Sequence, residues 1–193
     1  MFWLVLGLFL LLGVHSVRML APWVREAGVA VLGPVRWRAA YSLVSVVGLA
    51  MILLGYGPAR EADTTILWTP PPVLRHGVGL MTLLAFILFV SAKGPRNHFR
   101  AWLGHPMLVG TALWALAHVL VNGFLHATVL FGGFLLWSLI CLRASWKREP
   151  PRREGGHWGG TVGAILIGAA LWAGFGFWAH VRWIGVAPFG VSW

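Results

Sequence analysis

The chain has 193 residues, of which 59% are hydrophobic and only 10% are charged, with a formal net charge of +10. Soluble domains carry about 25% charged residues, so the composition excludes an ordinary soluble domain and describes an integral membrane protein. The positive charge does not mark a nucleic-acid binder: the fifteen Lys and Arg lie between or at the ends of apolar runs, and no basic patch is interleaved with exposed aromatics of the kind single-strand binders use.

Six apolar runs follow in chain order, each near the ~20 residues needed to cross hydrocarbon. The first, about 2–20, lacks a basic n-region and a small-residue cleavage site, and is expected to be a retained helix. The second covers 39–56, the third 74–92, the fourth 105–122, the fifth 125–142 and the sixth 159–181. The turn at Asn122-Gly123 is very short, so the fourth and fifth helices are expected to be antiparallel neighbours. The expected fold is all-α, a single domain built as a bundle of six transmembrane helices.

Basic residues orient that bundle. Twelve lie in or beside loops one, three and five, from Arg18, Arg25, Arg36 and Arg38 through Lys93 to Arg153. Arg60, Arg75 and Arg182 are left for the other side. The positive-inside rule then places those loops in the cytoplasm and both termini outside. The outer loop two ends in Pro70 to Pro72, and loop five, KREPPRREGG, reads as a polar linker. Gly159 and Gly163 have GxxxG spacing, which predicts close helix packing there. Trp114, Trp137 and Trp172 are deep enough to be core aromatics, while most other tryptophans fall at interfaces. The single Cys141 permits no internal disulfide and reads as a small hydrophobe.

All five acidic residues, Glu26, Glu61, Asp63, Glu149 and Glu154, lie outside the spans. This argues against paired-carboxylate catalysis and against a Glu/His di-iron bundle. There is no HxxH or HxxxH, no GxSxG, and no phosphate-cradling glycine loop.

Eight histidines remain. His98 and His157 read as solvated, His76 and His180 as interfacial anchors, and His126 lies toward the outer face. His15 sits inside the first span with Arg18 three residues on, and so on the same helix face. Arg18 either snorkels to the headgroups or serves as an anion partner, such as for a haem propionate. His118 is the deepest, in a stripe with Trp114, Ala115 and Asn122. It either makes a polar interhelical bond or ligates a metal.

HSVR at 15–18, YSLVSVVG at 41–48, LWTPP at 67–71, GHPMLVG at 104–110 and WALAHVLVNG at 114–123 resemble the NnrU membrane family, in order and over nearly the whole chain. The resemblance implies a bacterial inner-membrane protein of nitrite and nitric-oxide (denitrification) metabolism. The same domain occurs in zeta-carotene isomerases, which bind haem b through two histidines that match His15 and His118 here. Their alternative Cys ligand falls at Ala115, so ligand switching is not implied for this chain, and a membrane haem isomerase of carotenoid-like polyenes stands as the alternative function. The resemblance thus makes His15 and His118 the expected iron ligands, with Arg18, His105 and Asn122 as further cofactor-binding candidates.

Helix rise complicates the pair. His118 lies roughly 20 Å from the cytoplasmic end of its span and His15 roughly 8 Å from the same face, at 1.5 Å per residue. On that count His105 matches the depth of His15 better and is the alternative ligand. GHPMLVG is also similar to the RHPxYxG segment of membrane methyltransferases that bind S-adenosylmethionine, with Gly104 and Leu108 replacing the Arg and Tyr. The remaining alternative is a cofactor-free transporter or assembly subunit whose histidines pack or relay protons. The expected partners are the lipid bilayer and a small hydrophobic or gaseous ligand.

Overall fold

The computed structural model describes residues 1–62 and 64–189, apart from the side chains of Arg75 and His76; the interfacial place expected for His76 therefore lies outside the described residues. The elements are α1 (Phe2–Leu20), α2 (Pro22–Ala62), α3 (Leu74–Lys93), α4 (His98–Leu103), α5 (Pro106–Val121), α6 (Leu125–Arg148) and α7 (Trp158–Gly174). A π-helical turn (Phe175–Ala179) leads into α8 (His180–Ile184). No strand forms among the described residues beyond one isolated bridge, Ile66 to Phe124.

Four stretches are long and apolar enough to cross a bilayer: α1, α2, α6 and the continuous run Trp158–Ile184. The third and fourth expected spans are shorter as apolar helices, Gly77–Lys93 and Pro106–Val121. Sixteen residues of α5 rise roughly 24 Å, short of a ~30 Å hydrocarbon core. His105 and Asn122 flank α5 in non-helical conformations, which trims the expected 105–122 at both ends.

The second expected span is embedded in a longer element. α2 is broken at Gly33, where φ is 77° and ψ 161°, a conformation that favours glycine. Pro34 follows, preorganised to restart the helix. The arm 22–32 thus occupies what the charges suggested was a loop. It folds back so that a Cβ on Gly28 would collide with the Trp37 ring.

Glycines decide how closely the helices approach. A Cβ on Gly7 would stand 2.7 Å from the Gly48 carbonyl oxygen, one on Gly48 2.8 Å from the Leu11 nitrogen, and one on Gly55 2.8 Å from the Leu4 nitrogen. α1 and α2 therefore pack backbone to backbone along their length, as small-residue interfaces in membranes do. On α7 the packing glycines are Gly160, which meets the Arg96 carbonyl, and Gly168, 2.6 Å in the same sense from the Ile87 Cα. The expected GxxxG pair does not pack: Gly159 and Gly163 have nothing within 4 Å.

α6 is the organising helix. α1 and α5 both pack on it, α2 lies against α1, α3 against α5, and α7 against α3. The backbones of α1 and α5 do not approach each other. The main core, Leu4, Leu8, Ile52, Ala127, Leu130 and Phe131, joins α1, α2 and α6. The Asn122-Gly123 turn is bound by loop two: Leu67 N–H donates to the Gly123 carbonyl at 2.7 Å and Leu125 N–H to the Thr65 carbonyl at 2.9 Å. Antiparallel α5 and α6 follow from this turn, as expected.

At the opposite end Asn97 is 1% exposed. Its Nδ2 donates to the carbonyls of Ser91 and Pro95, and its Oδ1 accepts from the Arg100 N–H, capping α4. Asn97→Ala leaves these buried groups unpaired and is expected to cost about 2 kcal/mol. A denaturant titration of the detergent-solubilised protein checks this.

Candidate functional site

The two histidines singled out above are held in the same way by different helices. On α1 the Nδ1 of His15 lies 2.8 Å from the Leu11 carbonyl oxygen. On α5 the Nδ1 of His118 lies 2.8 Å from the Trp114 carbonyl oxygen. A carbonyl only accepts, so each Nδ1 carries the proton and donates it to its own helix one turn back. The other nitrogen, Nε2, is then left with its lone pair. This tautomer and orientation is how a ligating histidine is usually prepared, with one N–H committed to a backbone carbonyl.

Aromatic side chains set the rest of each environment. The His118 ring stacks on buried Phe131 of α6 at 4.5 Å between centroids and stands 5.1 Å from the Trp114 ring. His15 lies 5.3 Å from the Tyr41 ring of α2 and 6.5 Å from Trp137 of α6. Trp137 is itself fixed, because its Nε1 donates to Ser16 Oγ at 2.9 Å while Ser16 donates to the Leu12 carbonyl at 2.6 Å. Ala115 is fully buried beside this stripe.

α6 also serves as a ruler of depth. His118 rests at Phe131 and His15 beside Trp137, six residues on, or roughly 9 Å of helix. His105 lies toward the other end of α6: its Nε2 donates to the Glu149 carbonyl at 3.2 Å. Met19 and Leu108 pack in one cluster, which sets His15 and His105 on opposite sides of it, roughly 10 Å apart in depth. His15 is therefore level with neither His105 nor His118. His105 has also committed the nitrogen that His15 and His118 leave open. His105 thus meets the Glu149 backbone and not its carboxylate.

The remaining candidates have other contacts. Asn122 Nδ2 donates to the His118 carbonyl at 2.8 Å, so it closes the end of α5 and does not meet the imidazole. Arg18 is exposed at the end of α1, where its carbonyl accepts from the Arg148 guanidinium at 3.0 Å. His98 is not solvated as expected; it binds Thr161 Oγ1 through both its N–H and its Nδ1 and lies 4.4 Å from the Trp158 ring. His157 is exposed, as expected. His180 Nδ1 is turned to the Val186 carbonyl at 2.7 Å.

Sequence reading gave no role to His126, which is 3% exposed and sits between Tyr56 and Phe124. No spacing signals that contact, since Tyr56 arrives from a distant helix. Tyr41 was present in the quoted YSLVSVVG segment, yet only the fold places it against His15.

Among the described residues no three His, Cys, Asp or Glu side chains could together hold a metal ion. A protein-built metal centre is thus unsupported there. Iron carried in a porphyrin needs few ligands from the chain; His15 and His118 each offer an open Nε2, on helices whose backbones do not approach each other.

No similar curated protein and no similar solved structure is found for this chain. The family model described as NnrU protein matches residues 3–188. With nearly its whole length covered, the chain belongs to the NnrU family.

Proposed function

We propose that this protein is a haem b-binding membrane protein of nitrite and nitric-oxide metabolism, held in a bacterial inner membrane. In this reading six helices cross the bilayer with both termini outside: four are long enough to span it, and the two shorter apolar helices, Gly77–Lys93 and Pro106–Val121, are accommodated by local thinning or by the flanking aromatic residues. The observation that carries the reading is the shared state of His15 and His118: each donates Nδ1–H to its own helix and leaves Nε2 free.

In this reading His15 and His118 hold the iron, and Phe131, Trp114, Tyr41 and Trp137 exclude water from it. Ser16 orients Trp137, and Asn122 secures the backbone under His118. When bound, haem would supply a redox-active iron; with His15 and His118 both holding it, a diatomic gas can bind only if one of the two histidines gives way. Absorption spectra test the role. Titrating the reduced, detergent-purified protein with nitric oxide is expected to shift its Soret band. An unchanged spectrum at saturating gas contradicts a gas-binding role.

An apolar groove of about 420 Å³ between α5 and α6, lined among others by Val109, Leu113, Leu116, Leu139 and Trp146, favours a small hydrophobic ligand as a second reading. Leu116 precedes His118 by two residues and so faces away from it. A polyene in this groove would lie apart from the iron, which makes haem-based isomerisation the less supported activity.

A further inference from the structure

Where α1 ends and α2 begins, the chain encloses an open cavity of about 490 Å³. Arg18 comes from the last turn of α1, Arg25 from the arm 22–32, and Arg38 from α2 beyond the Gly33 break. All three line the cavity, together with Trp37, Tyr41 and Pro34, and among the described residues no carboxylate does. Arg38 is partly oriented, its Nε donating to the Pro34 carbonyl at 3.2 Å. The fold spends a left-handed glycine and a chain reversal to bring three guanidinium groups from three segments to one space. Like charges so gathered, with no acid among them, call for an anion. The planar forks of arginine suit an oxyanion with several acceptors.

The position of the cavity narrows the anion. It sits at the end of the apolar α1, and the arm that roofs it exposes Trp23, Val24, Val31 and Leu32. An arm with apolar residues outside and arginine inside the cavity lies in the interfacial plane of a bilayer. At that level the abundant oxyanion is the phosphate of a phospholipid. Trp37, Val29 and Val17 supply apolar wall beside the guanidinium groups.

We propose that this cavity binds one anionic phospholipid, its phosphodiester held by Arg18, Arg25 and Arg38 and its glycerol end against Trp37. The site adjoins His15 through Tyr41, which lines the cavity and faces the His15 ring, but the proposal does not depend on the haem reading.

Native mass spectrometry of the full-length protein in detergent, titrated with phosphatidylglycerol, tests it. Wild type is expected to retain one lipid, and Arg18→Gln, Arg25→Gln and Arg38→Gln each to weaken retention about fivefold. Arg36→Gln, on the same helix but outside the lining, is expected to behave as wild type and controls for general loss of charge. Phosphatidylcholine is expected to bind less tightly, and equimolar inorganic phosphate not to displace the lipid. Equal retention by the three variants overturns the proposal, as does an equal loss in Arg36→Gln. Displacement by inorganic phosphate overturns the lipid as the source of the anion. Loss of haem from Arg18→Gln with lipid retention intact also overturns it, and assigns the cavity to porphyrin carboxylates.

Discussion

His118→Ala is expected to remove the haem spectrum of the purified protein. The imidazole is gripped from three sides, by the Trp114 carbonyl, the Phe131 face and the Trp114 ring. Outer-shell partners of a metal ligand contribute about 10–100-fold in affinity, so loss of the ligand itself should exceed that range. His15→Ala is expected to leave a weaker, spectrally altered complex, because α5 and α6 still present one ligand. His105→Ala is expected to leave the spectrum as in wild type, its Nε2 being committed to the Glu149 carbonyl. Added imidazole should refill the space left by His118→Ala and restore the band. This rescue separates loss of a ligand from loss of the fold. Loss of the spectrum in His105→Ala with retention in His118→Ala contradicts the assignment.

Gly48→Val is expected to be the most damaging single change away from the histidines. A Cβ there already meets the Leu11 nitrogen at 2.8 Å and the Gly7 carbonyl oxygen at 3.1 Å. Both are backbone atoms of α1 and cannot rotate aside. Overpacking a well-filled interior costs about 1–3 kcal/mol and sometimes more. Here the two helices must separate along the Gly7–Gly48–Gly55 contact, so the upper end is expected. Tyr41 and His15 face each other across the same interface, so separation should also alter the His15 surroundings. Thermal melting in detergent checks this, with Gly57→Ala as the control because nothing lies within 4 Å of Gly57. Equal melting temperatures for the two variants would refute the close-packing account.

The contrast between these two sites shows what the sequence makes legible. The bounds of α1 were readable because a continuous apolar run ends at Arg18 and Leu20, and hydrophobic length alone sets such an element. The arm 22–32 was not, because Arg25, Glu26, Gly28 and the Gly33-Pro34 pair all read as loop signals. Their helical state depends on a fold-back over Trp37 that no local pattern encodes. Gly159 and Gly163 carried the recognisable spacing, yet packing falls on Gly160 and Gly168. The motif names small residues but does not say which face a neighbour covers.

The site divides in the same way. His15 and His118 stood out because ionisable residues inside apolar spans are rare. Their shared tautomer could not be read, since it depends on the rotamer that brings Nδ1 to the preceding turn. Depth from helix ends favoured His105 because it assumed that all spans start level. α6 instead runs on to Arg148, and α5 starts beside Glu149, so the helices are shifted and His15 and His105 are not level. Such shifts arise from packing between distant segments and leave no trace in periodicity.

The account stands most directly on whether the chain carries haem. Expressed with ample haem supply and purified in detergent, the wild-type protein is expected to show a Soret band and a reduced-minus-oxidised difference spectrum. Extraction with alkaline pyridine is expected to yield haem b in stoichiometric amount with the chain. A colourless protein that stays folded and monodisperse under those conditions would contradict the account.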